Sequence, residues 1–340
     1  MTASESRPPE LGGNLVRRLF VRLGILPFFL IAAIVLFSSI EPRFLSPGNF
    51  VNIARQSTYL LIVSLGQMIV LLTAGLDLSI GSTIALASVV TATVMGGMLV
   101  IDPTAVWLAI AAGSAAGIAT GVLVGSVNAI GVAIFNVSPF MMTLGMLSIA
   151  FGLALTISGG SPVYGMPDVF GTTFAYDRVL GIPIPIYIGV AVFALVYLLL
   201  NWTRAGRYLY ALGSNARAVH LSGIHGVSYL FLAYVLCGLL AGATGVLLTA
   251  RVQSGEANMG QELVLQSIAA CIIGGVSLFG GIGRVGNVLL GVIFITLLTN
   301  GMNMVRIDGY LQQVVLGAVL ILAIIADQTR LRIAGHTLTR

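Results

Sequence analysis

Ala105-Val-Trp-Leu-Ala-Ile-Ala-Ala-Gly113-Ser-Ala-Ala-Gly117-Ile-Ala-Thr-Gly121-Val-Leu-Val-Gly125-Ser-Val-Asn128-Ala-Ile-Gly-Val-Ala-Ile-Phe135 runs for 31 residues without a charge. No soluble helix of that length lacks a polar face, so the segment predicts a helix in lipid. At 1.5 Å per residue it would be roughly 46 Å long, more than the roughly 30 Å hydrocarbon core, so it must tilt, break or extend into water.

Outward from this run, similar ones fall at 23–40, 59–75, 83–100, 139–157, 181–200, 227–249, 263–281, 286–304 and 310–326, parted by Pro, Gly, Asn and charged residues. With 105–135 they make about ten transmembrane helices, an all-α polytopic membrane protein. The composition agrees: 58% of residues are hydrophobic and 8% charged, against roughly 45–50% and 25% in an average globular chain, which leaves no material for a soluble domain. The apolar stretch 23–40 is too long for a signal peptide's core and is read as a retained helix.

An even number of spans puts both termini on one side, and the arginines choose the side. Arg7, Arg17, Arg18, Arg22, Arg204, Arg207, Arg217, Arg284, Arg330, Arg332 and Arg340 fall on the face of the termini, and Arg43, Arg55, Arg178, Arg251 and Arg306 on the other. Eleven against five makes the first face cytoplasmic. The expected organisation is a cytoplasmic segment 1–22, a transmembrane domain 23–326 with a cytoplasmic loop 201–226, and a cytoplasmic tail 327–340. The basic excess belongs to the membrane surface and to lipid; the arginines form no single patch for nucleic acid.

All 16 basic residues are arginine, so the chain has no lysine for a phosphate-binding loop or a Schiff base. Cys237 and Cys271 sit in apolar runs without a CxxC or a nearby histidine, and predict neither disulfide nor metal. Gly281-Ile-Gly283-Arg-Val-Gly286 spells a dinucleotide fingerprint, but between two apolar helices it has no βαβ unit to work in. No catalytic set of Ser, His and Asp appears. The expectation is no catalytic residue, no metal and no cofactor in this chain, with ATP and Mg, if used, on a partner.

Gly113, Gly117, Gly121 and Gly125 recur every four residues, and Gly238 and Gly242 repeat the spacing. Such rows let another backbone approach closely, and they are read as helix packing rather than a moving interface. Asp77 follows an apolar run and precedes Ser79, Gly81 and Ser82, a pattern that predicts a helix cap. Uncharged amides escape the cost of burying charge, and Gln67, Asn128, Gln266, Asn300, Asn303 and Gln312, with Asp77, are candidates for a solute path; Asn136 and Gln313 are of the same kind. Some of them tie helices together, and the sequence alone does not sort the two groups. In the longest inner loop, Ser214 or Asn215 can cap a helix of roughly eight residues ending near Gly223, too short to persist without docking on something.

Ala211-Leu-Gly-Ser-Asn-Ala-Arg-Ala-Val-His-Leu-Ser-Gly-Ile224, Leu72-Thr-Ala-Gly-Leu-Asp-Leu-Ser-Ile-Gly-Ser82 and Gly274-Gly-Val-Ser-Leu-Phe-Gly-Gly-Ile-Gly283 resemble segments of the ribose-type permeases of bacterial ABC importers. Asn300-Gly-Met-Asn303 and Tyr310-Leu-Gln-Gln-Val314 extend the resemblance over nearly the whole chain. It implies an inner-membrane subunit that works with a second permease chain, as homo- or heterodimer, with cytoplasmic ABC ATPase subunits and with a periplasmic solute-binding protein. It further implies that Asn215, Arg217, Val219, His220, Leu221, Gly223 and Ile224 form the loop that couples to the ATPase, with Val219, Leu221 and Ile224 as apolar anchors. The expected cargo is a pentose, hexose or related polyol; an amino acid or nucleoside importer, and a self-sufficient channel or secondary transporter, are the alternatives.

Overall fold

The computed structural model describes residues 26–338; the expected N-terminal segment 1–22 lies outside them. Apart from one hairpin of two-residue strands, Arg178–Val179 with Ile182–Pro183, the regular structure is helical. The helices are α1 Leu26–Ile40, α2 Pro47–Leu72, α3 Ile80–Ile101, α4 Val106–Ala129, α5 Pro139–Ser158, the single turn α6 Asp168–Gly171, α7 Ile184–Trp202, α8 Arg204–Leu221, α9 Gly226–Val252, α10 Gln261–Ile273, α11 Val285–Met304 and α12 Gly309–Leu338. Among the described residues seven segments are long and apolar enough to cross a membrane: α2, α3, α4 with its π-helical continuation to Ile134, α5, α7, α9 and α11. The long run 105–135 thus forms one helical rod ending in a π turn. In α1, α10 and the apolar part of α12 the helices are shorter.

The local chemistry explains the boundaries. Ser46 caps α2, its hydroxyl accepting from the Asn49 N–H at 3.3 Å, and Pro47 follows at the position where a missing N–H costs nothing. This start lies twelve residues before the expected one, because Asn49, Asn52, Arg55 and Gln56 are polar yet helical. The run expected at 263–281 stops at Ile273, where Gly275 turns left-handed at φ +79°. Thirteen residues give α10 only about 20 Å, short of a hydrocarbon core. α12 continues beyond residue 326 to Leu338, so the expected start of the tail falls inside a helix.

α2 is the central element: most of it is buried, and it packs against α7, α9, α10 and α11. The glycine row of α4 meets two neighbours. A Cβ on Gly113 or Gly117 would collide with Met95 or Thr91 of α3, and one on Gly121 or Gly125 with the backbone of Gly238, Gly242 or Tyr234 on α9. Gly238 and Gly242 therefore complete the same contact from the other side, and dispersion between backbones holds it, since lipid supplies no hydrophobic drive.

Two sets of loops mark the ends of the bundle. At one end the 73–79 loop, α8 and the 274–284 loop meet: the Gly281 N–H donates to the Leu72 carbonyl at 2.9 Å and the Tyr210 hydroxyl to the Gly283 carbonyl at 2.9 Å. Burial pushes the Tyr210 phenol up, so it stays a neutral donor there. At the other end Val163 and Gly255 exchange backbone hydrogen bonds, and the Tyr176 hydroxyl donates to the Arg251 carbonyl at 2.7 Å.

Candidate functional site

A polar cavity lies at the second end, between α2, α9, α10 and α11. Its volume is about 400 Å³, within the range of small-molecule sites. Gln56 and Tyr59 reach it from α2, Arg251 from α9, Asn258 from the loop, Gln261, Glu262 and Gln266 from α10, and Thr296 and Thr299 from α11. A second cavity of about 380 Å³ shares Asn258, Gln261, Glu262 and Gln266 and runs on past Leu265 to Gln313 and Gly317 of α12. The amphipathic start of α10 is thus the wall common to both.

The turn before α10 fixes this wall. Gly260, at φ +81°, lets the chain reverse, and its α-carbon lies so close to Ile84 of α3 that a side chain would collide. The Gln261 amide lies 3.4 Å from the Asn258 side-chain oxygen, and the Arg251 guanidinium lies over the Tyr59 ring, 5.4 Å from its centroid. The cation is held by a π face here, which leaves its N–H donors free to turn toward a solute. Four amides and three hydroxyls supply donors and acceptors together, the pattern that recognises neutral hydroxyl groups.

The structure separates the amides that the sequence could not sort. Gln266 lines both cavities, and Gln313 lines the second. Asn300 accepts from the Asn49 amide at 3.0 Å, tying α11 to α2, and Asn303 accepts from the Gln312 amide at 2.8 Å, tying α11 to α12. Gln67 is fully buried in α2 away from both cavities. Asn128 donates to the Ser79 hydroxyl at 2.9 Å, and that hydroxyl donates to Asp77 at 2.6 Å. Asp77 also accepts from the Ser79 N–H at 2.8 Å. It closes a turn just before α3, while Ser79 occupies the cap position without a side-chain capping bond, so Asp77 is not the helix cap that the sequence predicts.

Sequence reading missed Gln56, Tyr59, Arg251, Asn258, Gln261, Glu262, Thr296 and Thr299. The signal available was the polar start of α2 and the polar segment after Arg251; nothing local says that these converge.

In the 201–226 segment the helix is longer than expected, because Thr203 caps it at Arg204, its hydroxyl accepting from the Gly206 N–H at 3.1 Å. Asn215 breaks it with φ −161° and ψ 89° and recaps the remainder, its side-chain oxygen accepting from the Ala218 N–H at 2.9 Å. Gly223 ends it at φ +76°. Arg217, His220 and Leu221 are exposed and Ile224 is half-buried. Val219, only 5% exposed, points into its own chain, so it is not an outward anchor: on a helix two positions from Leu221 it lies on the opposite side.

Residues 49–324 match the family described as branched-chain amino acid transport system / permease component. The ribose import permease protein RbsC of Escherichia coli (strain K12) is 37% identical over 305 residues, covering 88% of this chain and 92% of its own. The D-allose transport system permease protein AlsC of the same organism is 36% identical over 303 residues, covering 88% and 90%. The galactose/methyl galactoside import permease protein MglC of Haemophilus influenzae (strain ATCC 51907 / DSM 11121 / KW20 / Rd) is 36% identical over 301 residues, covering 85% and 89%. No solved structure matches the chain. Similarity along more than four fifths of its length, joined to seven helices fit to cross a bilayer, makes this an all-α, multi-pass membrane protein that belongs to the branched-chain amino acid transport system / permease component family.

Proposed function

We propose that the chain is the permease subunit of an ATP-driven importer in the bacterial inner membrane and passes a sugar, a pentose, hexose or related polyol, from a periplasmic binding protein to the cytoplasm. The observation that carries this reading is the cavity of amides and hydroxyls between α2, α9, α10 and α11, whose groups suit a neutral polyhydroxylated solute. The names of the relatives, which concern ribose, D-allose and galactose, support it.

In this reading α1, α12 and α10, the last completed by the non-helical residues at its two ends, join the seven longer helices to make ten spans, both termini are cytoplasmic, and the cavity opens on the periplasmic side. A second permease chain completes the pathway, and a separate ATPase binds ATP and Mg, since this chain has no lysine for the phosphates. The helix from Asn215 to Gly223 couples the two, with Leu221 and Ile224 as apolar contacts and Arg217 and His220 beside them.

The test is uptake of labelled ribose, allose and galactose by cells carrying the complete transporter with Gln266→Leu or Asn258→Leu. Each variant should lower uptake of the transported sugar at least tenfold while the ATPase still co-purifies; unchanged uptake in both would remove the cavity from the path. A second reading has its own observation: Arg251 and Glu262 face the same cavity and offer opposite charges to the carboxylate and ammonium of an amino acid. Amino-acid uptake abolished by Arg251→Gln, with no sugar taken up, would favour it.

A further inference from the structure

The face that carries α8 has a second projecting element, and the sequence had suggested only a cofactor motif there and set it aside. In the loop after α10, Phe279 is 82% and Ile282 66% exposed, with Leu278 beside them also exposed. Three large apolar side chains on a short loop are a costly thing to leave in water. The loop is not loose. Gly280 and Gly281, both left-handed at φ +86° and +71°, pack so closely on Gly213 and Ser214 of α8 that a Cβ on Gly280 would stand 2.9 Å from the Gly213 α-carbon, and one on Gly281 would overlap the Ser214 hydroxyl. With the Gly281 bond to Leu72 and the Tyr210 bond to Gly283, the loop and the root of the coupling helix form one rigid piece. The six residues from Ala216 to Leu221 extend about 9 Å from that joint and end on Leu221, 79% exposed.

Next to this joint the exposed charge is basic, the Asp77 carboxylate of the 73–79 loop being buried. Between Arg178 and Glu256, and again between Glu262 and Asp308, the sequence has no carboxylate, while the inner segments carry Arg204, Arg207, Arg217 and Arg284 with His220 and His225. The opposite loops hold Glu41, Asp102, Asp168, Asp177, Glu256, Glu262 and Asp308.

We propose that the 277–284 loop is a second docking element for the ATPase: Phe279 and Ile282 enter an apolar recess of that subunit whose rim is acidic, alongside the coupling helix. This rests on the importer reading above. Helix-in-groove contact by one six-residue helix offers Leu221, with the half-buried Ile224 just beyond its end, since Val219 is turned inward; the loop supplies further apolar anchors, and the arginines steer an acidic partner. The rigid joint means that the ATPase grips both elements as a unit and moves them together.

The experiment uses the full chain co-expressed with the ATPase of its own transport system, purified in nanodiscs, with Phe279→Asp, Ile282→Asp and Leu221→Asp compared. Both loop variants should weaken ATPase association at least tenfold, with normal yield and melting of the membrane subunit, and, reconstituted in proteoliposomes, should abolish ATP-driven uptake. Association unchanged in both loop variants overturns the proposal; if Leu221→Asp alone releases the ATPase, the coupling-helix reading still stands, and if the loop variants alone release it, the docking loop stands without that helix. A second measurement covers a variant that fails to fold. The native cysteines, Cys237 and Cys271, are buried, so a fluorophore on Phe279→Cys reports from one place. Its emission should be that of water in the isolated subunit and shift blue on adding the ATPase; a blue-shifted emission already present without ATPase means the loop sits in the lipid headgroups and overturns the proposal.

Discussion

Gly223 owes its place to backbone alone. Its φ of +76° is a conformation that a β-branched residue resists, yet a Cβ there would meet nothing within 4 Å, so a substitution strains the turn without any clash. Gly223→Val should cost about 1–2 kcal/mol locally. The spans should fold as before, while ATP hydrolysis loses its link to transport; ATPase activity and sugar uptake measured on the same proteoliposomes check this, and uptake per ATP equal to wild type would count against it. Asn215 and Gly223 were legible in the sequence because caps and left-handed turns are written in one or two residues. Val219 was not, because the side of the helix that faces its own bundle is decided by helices far away in sequence. The amides divide in the same manner: nothing around Asn300 says that Asn49 waits 251 positions earlier.

Among the elements, α4 tests how tightly backbones approach in this bundle. Gly121 faces the Gly238 carbonyl and the Gly242 α-carbon, whereas Leu123 on the same helix is well exposed. Gly121→Leu should force α9 away and cost about 3 kcal/mol or more, at the upper end of overpacking, while Leu123→Ile should change little. Yield after membrane extraction and a melting curve in detergent separate them, and equal stability of the two would show that this contact is dispensable. The row itself could be read from spacing, since a four-residue repeat of glycine has few other uses; its division between α3 and α9 could not, because it follows from how α4 crosses its neighbours. α10 shows the opposite failure. Its apolar sequence continues past Ile273, and only the glycine pair, unremarkable in a chain with 42 glycines, ends it early.

For the whole molecule, the absence of lysine is the most economical statement the sequence makes, since a missing residue type needs no fold to interpret it. The purified chain, free of partners, should hydrolyse no ATP; phosphate release in a coupled assay decides, and activity that follows this polypeptide through every column with no second subunit would refute a separate ATPase. The candidate cavity was far less legible, because its walls come from four helices whose polar residues look ordinary one at a time. Its relation to the opposite end is plainer in space. Leu72, the last residue of α2, is stitched to Gly281, and Gly213 presses on the Leu72 carbonyl so closely that no Cβ fits between them. Thirteen residues back along the same unbroken helix, about 20 Å away, Tyr59 stands in the cavity wall. α2 is therefore an unbroken link with the joint at Gly213 fixed to one end and the cavity wall to the other, so the two ends of the bundle share one backbone.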